Sequence, residues 1–186
     1  AKGWKLKAIF NTHSHADHIG GNRFLQERTG CRIFAPEMEC GYISHPVLEP
    51  RTLYGGLPFK ELKGKFFMAQ SSRCDPLTRE VLPPGMEIIE LPGHSFDMAG
   101  FKTPDGSVFL ADCLSSKETL AKYGIGYGWD IDQYMEILKK VQTITAAAFI
   151  PSHAAVTKDI TELAQFNLDT AQSLLDTIQS LCRSPI

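Results

Sequence analysis

Thr12-His13-Ser14-His15-Ala16-Asp17-His18-Ile19-Gly20-Gly21 is the stretch on which the reading of this chain turns. Four side chains able to ligate a metal, His13, His15, Asp17 and His18, fall within six positions. They come directly after Leu6-Lys7-Ala8-Ile9-Phe10, an apolar run that reads as a buried strand. In extended backbone, residues two apart share a face, so His13 and His15 can grip one ion together. Where the chain then turns into a helix, Asp17 and His18 are carried to another direction and can hold a second ion nearby. Neutral imidazole suits zinc, iron or manganese, and a carboxylate adds the negative charge that two cations require.

Working outward, three more ligand types occupy one kind of position, a strand end. His94 follows the strand-like Met86–Leu91 through Pro92-Gly93, Asp112 follows Val108–Leu110, and His153 follows Ala146–Ile150 through Pro151-Ser152. Residues at strand ends can converge along one edge of a sheet. The remaining histidine, His45, stands before Pro46 in an irregular stretch and reads as surface or pocket wall.

Between these motifs the chain alternates strands and helices. Gly20 to Gly30 reads as a short helix closed by glycine, and Arg32–Ala35 as a strand stopped by Pro36. Phe101–Thr103 and Ser107–Leu110, joined at Pro104-Asp105-Gly106, read as a hairpin. Residues 132–143 place Tyr134, Ile137, Leu138 and Val141 at helical spacing, and Asp159 with Glu162 caps a helical segment over 159–182. Residues 41–84, punctuated by Pro and Gly and rich in aromatics, read as a lid or pocket insertion within a single domain, 1–186. Tyr123–Trp129 reads as an aromatic loop beside the metal ligands. Strands mixed with helices and hairpins indicate an α/β or α+β class.

HSHADH at 13–18, PGH at 92–94, AD at 111–112 and PSH at 151–153 together resemble the metallo-β-lactamase superfamily, over nearly the whole chain. The resemblance implies an αββα sandwich with a dinuclear site. His13, His15 and His94 would hold one metal, Asp17, His18 and His153 the other, and Asp112 would bridge. Zinc is the first choice for the two divalent ions, with iron or manganese compatible. In that family a β-rich section precedes the HxHxDH motif. Only 12 residues precede His13 here, so the sandwich reads as shortened at its N-terminal end, and a homo-oligomer or a longer parent protein would complete it.

The chemistry expected is hydrolysis. Two cations about 3.5–4 Å apart share a water, bring its pKa towards neutrality and polarise a substrate oxygen. A hydroxide held by both would attack an ester, thioester or related bond, with Asp17 as the catalytic residue that orients it and assists proton transfer. The pattern is most similar to the glyoxalase II-like branch, whose substrates are thioesters, although the chain ends soon after His153 and reads without that branch's larger C-terminal helical domain. A lactamase proper is disfavoured because those zinc enzymes place a cysteine where Asp112 stands. Cys113 faces the other way if the strand continues. No substrate-binding residue is assigned. The alternatives are a mononuclear-iron oxidoreductase similar to persulfide dioxygenases, and a partial, non-catalytic metal-binding domain.

Composition narrows the partners. Lys+Arg at 19 against Asp+Glu at 21 gives a net charge of −2, which argues against a dedicated nucleic-acid binder. Lys60, Lys63 and Lys65 form the one basic cluster and read as a solvated face. No run reaches the ~18 apolar residues of a membrane span. A small-molecule substrate, with neither nucleic acid nor membrane as partner, is expected. Five widely spaced cysteines without a CxxC pair indicate reduced thiols and a cytoplasmic location.

Overall fold

The computed structural model describes residues 3–64 and 67–183; Lys65, singled out above, and Phe66 lie outside the described residues. The chain divides into two units, one running to Pro83 and including Ser95–Ala99, the other made of Pro84–His94 and the chain from Gly100 onward.

In the first unit β1 (Ala8–Phe10) leads into α1 (Ala16–Ile19) and α2 (Asn22–Thr29), and the chain returns as β2 (Arg32–Ala35). β1 and β2 are parallel, with Ile9 opposite Ile33 and Phe10 opposite Phe34, whose rings stack at 5.4 Å. Gly30, left-handed at φ 68°, ends α2 by donating its N–H to the Gln26 carbonyl, as the sequence predicts. Pro36 stops β2 and caps α3 (Glu37–Ser44), and α4 (Leu48–Tyr54) follows. Regular helix therefore runs into the stretch expected to be irregular. His45-Pro46 separates the two helices, and Pro50 is tolerated because it lies in the first turn of α4. The two-residue β3 (Asp75–Pro76) adds to β2, giving the order β1-β2-β3. Ala16, Ile19, Ala35, Cys40, Ile43 and Ala69 form the apolar core beneath these elements.

One expectation fails here. Cys40 of α3 and Cys74 just before β3 are joined as a disulfide across 34 residues, so these thiols are not the reduced pair that their wide spacing suggests. Sequence distance hid the pairing, because β2–β3 pairing folds the segment before β3 back beside α3.

The second unit holds β4 (Glu87–Glu90), β5 (Ala99–Lys102), β6 (Ser107–Ser115) and β7 (Ala148–His153), in that order across one sheet. The hairpin forms as read, with Phe101 opposite Phe109 and Lys102 opposite Val108. β7 runs parallel to β6, as a crossover through α5 (Lys117–Tyr123) and α6 (Ile131–Val141) requires. Tyr134, Ile137, Leu138 and Val141 form the buried face of α6, at the spacing read from sequence. α7 (Thr161–Leu181) closes the unit. Asp159 accepts from the Thr161 N–H, but Glu162 does not complete a capping box; its carboxylate pairs with Lys117 at 2.5 Å.

Two strand ends differ from expectation. β6 continues to Ser115, so Asp112 sits inside the strand, and His153 is the last residue of β7 rather than the loop after it. The β6–β7 register slips on both sides of Ala111, which has φ 50°, in the left-handed region. Such an irregularity re-aims the following side chain. Residues 110–114 of β6 are all buried, Cys113 completely, and burial drives its thiol pKa far up.

Candidate metal centre

In the first unit the four ligand-type residues of HSHADH lie within two turns of chain. The backbone leaves β1 extended, and His15 is still extended at ψ 145° when α1 begins at Ala16. The strand-then-helix switch read from the sequence is therefore present. His13 is fully buried and His15 half-buried, and their rings meet edge-on at 4.7 Å between centroids. The donor atoms of His13 and His15 lie within 4.8 Å of each other, as do those of Asp17 and His18. Asp17 Oδ2 is 3.4 Å from His18 Nε2, and the His18 ring tilts against His13 at 4.1 Å. The Thr12 hydroxyl engages His13 Nδ1 at 3.0 Å, which turns Nε2 to the opposite side of the ring.

Two acids missed by the sequence reading stand behind this loop. Glu39, on the first turn of α3, is fully buried. Its Oε2 accepts from the Ser14 N–H at 2.9 Å and the Ser14 hydroxyl at 2.6 Å, and its Oε1 accepts from the Ser95 hydroxyl at 2.6 Å. Glu49, in the first turn of α4, accepts from the Ala16 N–H at 3.2 Å. Burial raises the pKa of both. Glu49 is pushed up to about 7, its Ala16 hydrogen bond opposing and the charge of Asp17 adding. No spacing relative to HSHADH marks either acid; the nearest signal is a glutamate soon after a proline stop.

In the second unit His94, Asp112 and His153 come together from three separate elements. Asp112 Oδ2 lies 3.6 Å from His94 Nε2 and 3.0 Å from His153 Nε2, so one carboxylate oxygen stands between two imidazoles. His94 and Asp112 are buried and His153 is exposed. His94 Nδ1 is 3.0 Å from the Tyr127 carbonyl. A carbonyl only accepts, so Nδ1 carries the proton and Nε2 presents its lone pair on the Asp112 side. Gly93 has φ 119°, and a β-carbon there would collide with the Tyr134 backbone nitrogen, so only glycine delivers His94 this way. Asn167 of α7, also missed from sequence, bonds both the N–H and the carbonyl of Ser115, at 2.8 and 2.9 Å, and braces the end of β6.

A cavity of about 420 Å³ opens on this group. His94, Asp112 and His153 line it together with Ser115 and Thr119, and Tyr123 at the end of α5 with Ile125 and Tyr127 of the following loop form apolar wall. His45 is exposed, in keeping with its reading as a non-ligand. Among the described residues no helix is long and apolar enough to cross a membrane.

Comparison with known proteins gives these arrangements a family. Residues 1–153 match the family model described as the metallo-beta-lactamase superfamily. A hydroxyacylglutathione hydrolase of Hyphomonas neptunium is 27% identical over 163 residues, which are 81% of this chain and 52% of the relative. The chain thus spans about half the length of that relative. A metallo-beta-lactamase family protein from Thermus thermophilus superposes with a TM-score of 0.70 at 21% identity, over 96% of this chain and 65% of its own. TTHA1623, solved in a di-iron-bound form, superposes with a TM-score of 0.57 at 22% identity, over 81% of this chain and 71% of its own. The mixed α/β architecture is the metallo-β-lactamase fold, and the chain belongs to the metallo-β-lactamase superfamily.

Proposed function

We propose that this chain is a metal-dependent hydrolase acting on thioesters or related acyl esters. The observation that carries the reading is Asp112 Oδ2 between His94 Nε2 and His153 Nε2, a carboxylate and two imidazoles gathered as a metal ion would need them. The donor chemistry of the first unit agrees, with three imidazoles and a carboxylate in six positions. On the family pattern, His13, His15 and His94 would hold one divalent ion and Asp17, His18 and His153 a second, with Asp112 available to both. Zinc is the first choice; the di-iron form of TTHA1623 keeps iron in view, and manganese suits the same donors.

When bound, such ions supply an acidified water and an electrophile for the developing oxyanion. The chain's own groups do the rest. Asp17, exposed beside His18, orients the nucleophile and accepts its proton. The Tyr127 carbonyl keeps the His94 proton on Nδ1. Tyr123, Ile125 and Tyr127 receive the apolar part of an acyl group and exclude water around it. The thioester choice rests on the relatives named hydroxyacylglutathione hydrolase. A cytoplasmic location is supported by the free thiols of Cys31, Cys113 and Cys182, with the Cys40–Cys74 pairing weighing against it.

The test is metal quantification of the purified chain together with hydrolysis assays on thioesters, lactones, β-lactams and phosphodiesters. Two metal equivalents and chelator-sensitive thioester cleavage are expected. One iron per chain with thiol-dependent oxygen uptake would replace this reading with a persulfide dioxygenase-like one. Bound metal without any turnover would leave a metal-binding domain.

A further inference from the structure

We propose that Glu39 is a positioning residue that sets the geometry of the histidine-rich metal site from behind, through Ser14 and Ser95. The inference rests on the metal-dependent reading above and deepens it. Alternation along the extended segment supplies the logic. His13 and His15 share one face, so Ser14 between them points to the other, where its N–H and hydroxyl both meet Glu39 Oε2 at 2.9 and 2.6 Å. The other oxygen of the same carboxylate takes the Ser95 hydroxyl at 2.6 Å, and Ser95 is bonded in sequence to His94. One carboxylate thus holds Ser14, which lies between His13 and His15, and Ser95, the residue that follows His94.

Glu39 is 0% exposed, and placing a carboxylate there is costly unless its oxygens are well used. Three hydrogen bonds, two of them at 2.6 Å, engage both oxygens and offset part of that cost. A group serving only to fill space would be apolar, as its neighbours Cys40 and Ile43 on α3 are. The Cys40–Cys74 disulfide and the bond from the Met38 N–H to Asp97 Oδ2 fix the helix turn that carries Glu39. The grip therefore has a firm base. Outer partners of metal ligands typically govern about 10- to 100-fold in metal affinity.

The experiment uses the full chain, stripped of metal and titrated with cobalt(II) against a competing chelator, with the visible spectrum followed. Glu39→Gln, Ser95→Ala and the double variant are compared with wild type, and urea unfolding of the metal-free proteins measures the purely structural effect. Glu39→Gln is expected to weaken the histidine-rich site about 10- to 100-fold, to alter its cobalt spectrum, and to do so beyond its effect on metal-free stability. Ser95→Ala should lose several-fold, and the double variant should be no worse than Glu39→Gln, because the serine acts only through the carboxylate. Should Glu39→Gln fail to fold, Ser95→Ala decides alone. Wild-type affinity and spectrum in the folded variants, or additive losses in the double variant, would overturn the proposal. A wild type that binds cobalt but hydrolyses nothing sinks the hydrolase reading and leaves the Glu39 comparison standing. A wild type that takes up no metal sinks both.

Discussion

The two ligand groups of this chain are built on opposite plans. In the first unit, four ligand-type residues sit in six consecutive positions, backed by the buried acids Glu39 and Glu49. In the second, His94, Asp112 and His153 are spread over 60 positions and are supported by neutral groups, the Tyr127 carbonyl and the Asn167 amide. The first plan gets its geometry from local backbone and therefore answers to charge and pH. The second gets it from sheet pairing and therefore answers to packing and register.

The comparison can be broken most forcefully at Asp112. Asp112→Ala should lower metal retention and thioester turnover by more than about 100-fold, above the range of a supporting residue. Activity and metal content close to wild type would remove the second group from the site altogether. Next comes the pH response of the first group. Glu49 ionises near pH 7 when folded and near 4.5 when unfolded. Between those values the native chain holds the extra proton, so stability of the metal-free protein should fall as pH rises from about 4.5 to 7, and level off above. The full span is about 3 kcal/mol, and Glu49→Gln should flatten it in urea titrations run at several pH values. A pH-independent wild type would show that the backing acids are not energetically distinct from the neutral supports.

Asn167→Ala tests the second plan directly. It strands the Ser115 N–H and carbonyl and should cost about 2 kcal/mol in chemical unfolding, with no change in slope against pH. Breaking the exposed pair between Lys117 and Glu162 should do least, a loss at the edge of detection in chemical unfolding that vanishes in high salt. A larger loss would mean that α5 and α7 contribute to the second group through charge as well as packing.

The same contrast explains what could be read without coordinates. HSHADH was legible because its geometry is local: alternation sets His13 and His15, and the turn into α1 sets Asp17 and His18. The hairpin at Pro104-Asp105-Gly106 and the apolar face of α6 were legible for the same reason. Asp112 and His153 were found, but their positions within β6 and β7 were not, since the irregularity at Ala111 comes from cross-strand register and has no local signature. Glu39 and Asn167 were invisible. Each acts across tens of residues, and acids or amides on helices are ordinarily solvated. The Cys40–Cys74 bond was missed on similar grounds, its partners brought together by β2–β3 pairing.

The irregularity at Ala111 has a consequence for how this scaffold can change. Asp112 faces the cavity and Cys113, its neighbour, faces the core. Moving a strand by one residue exchanges its two faces. A single-residue deletion near Ala111 would therefore bring the Cys113 sulfur to the face that the Asp112 carboxylate occupies, without any new side chain being introduced. The irregularity at Ala111 thus decides which of two neighbouring side chains, a carboxylate or a thiol, meets the cavity.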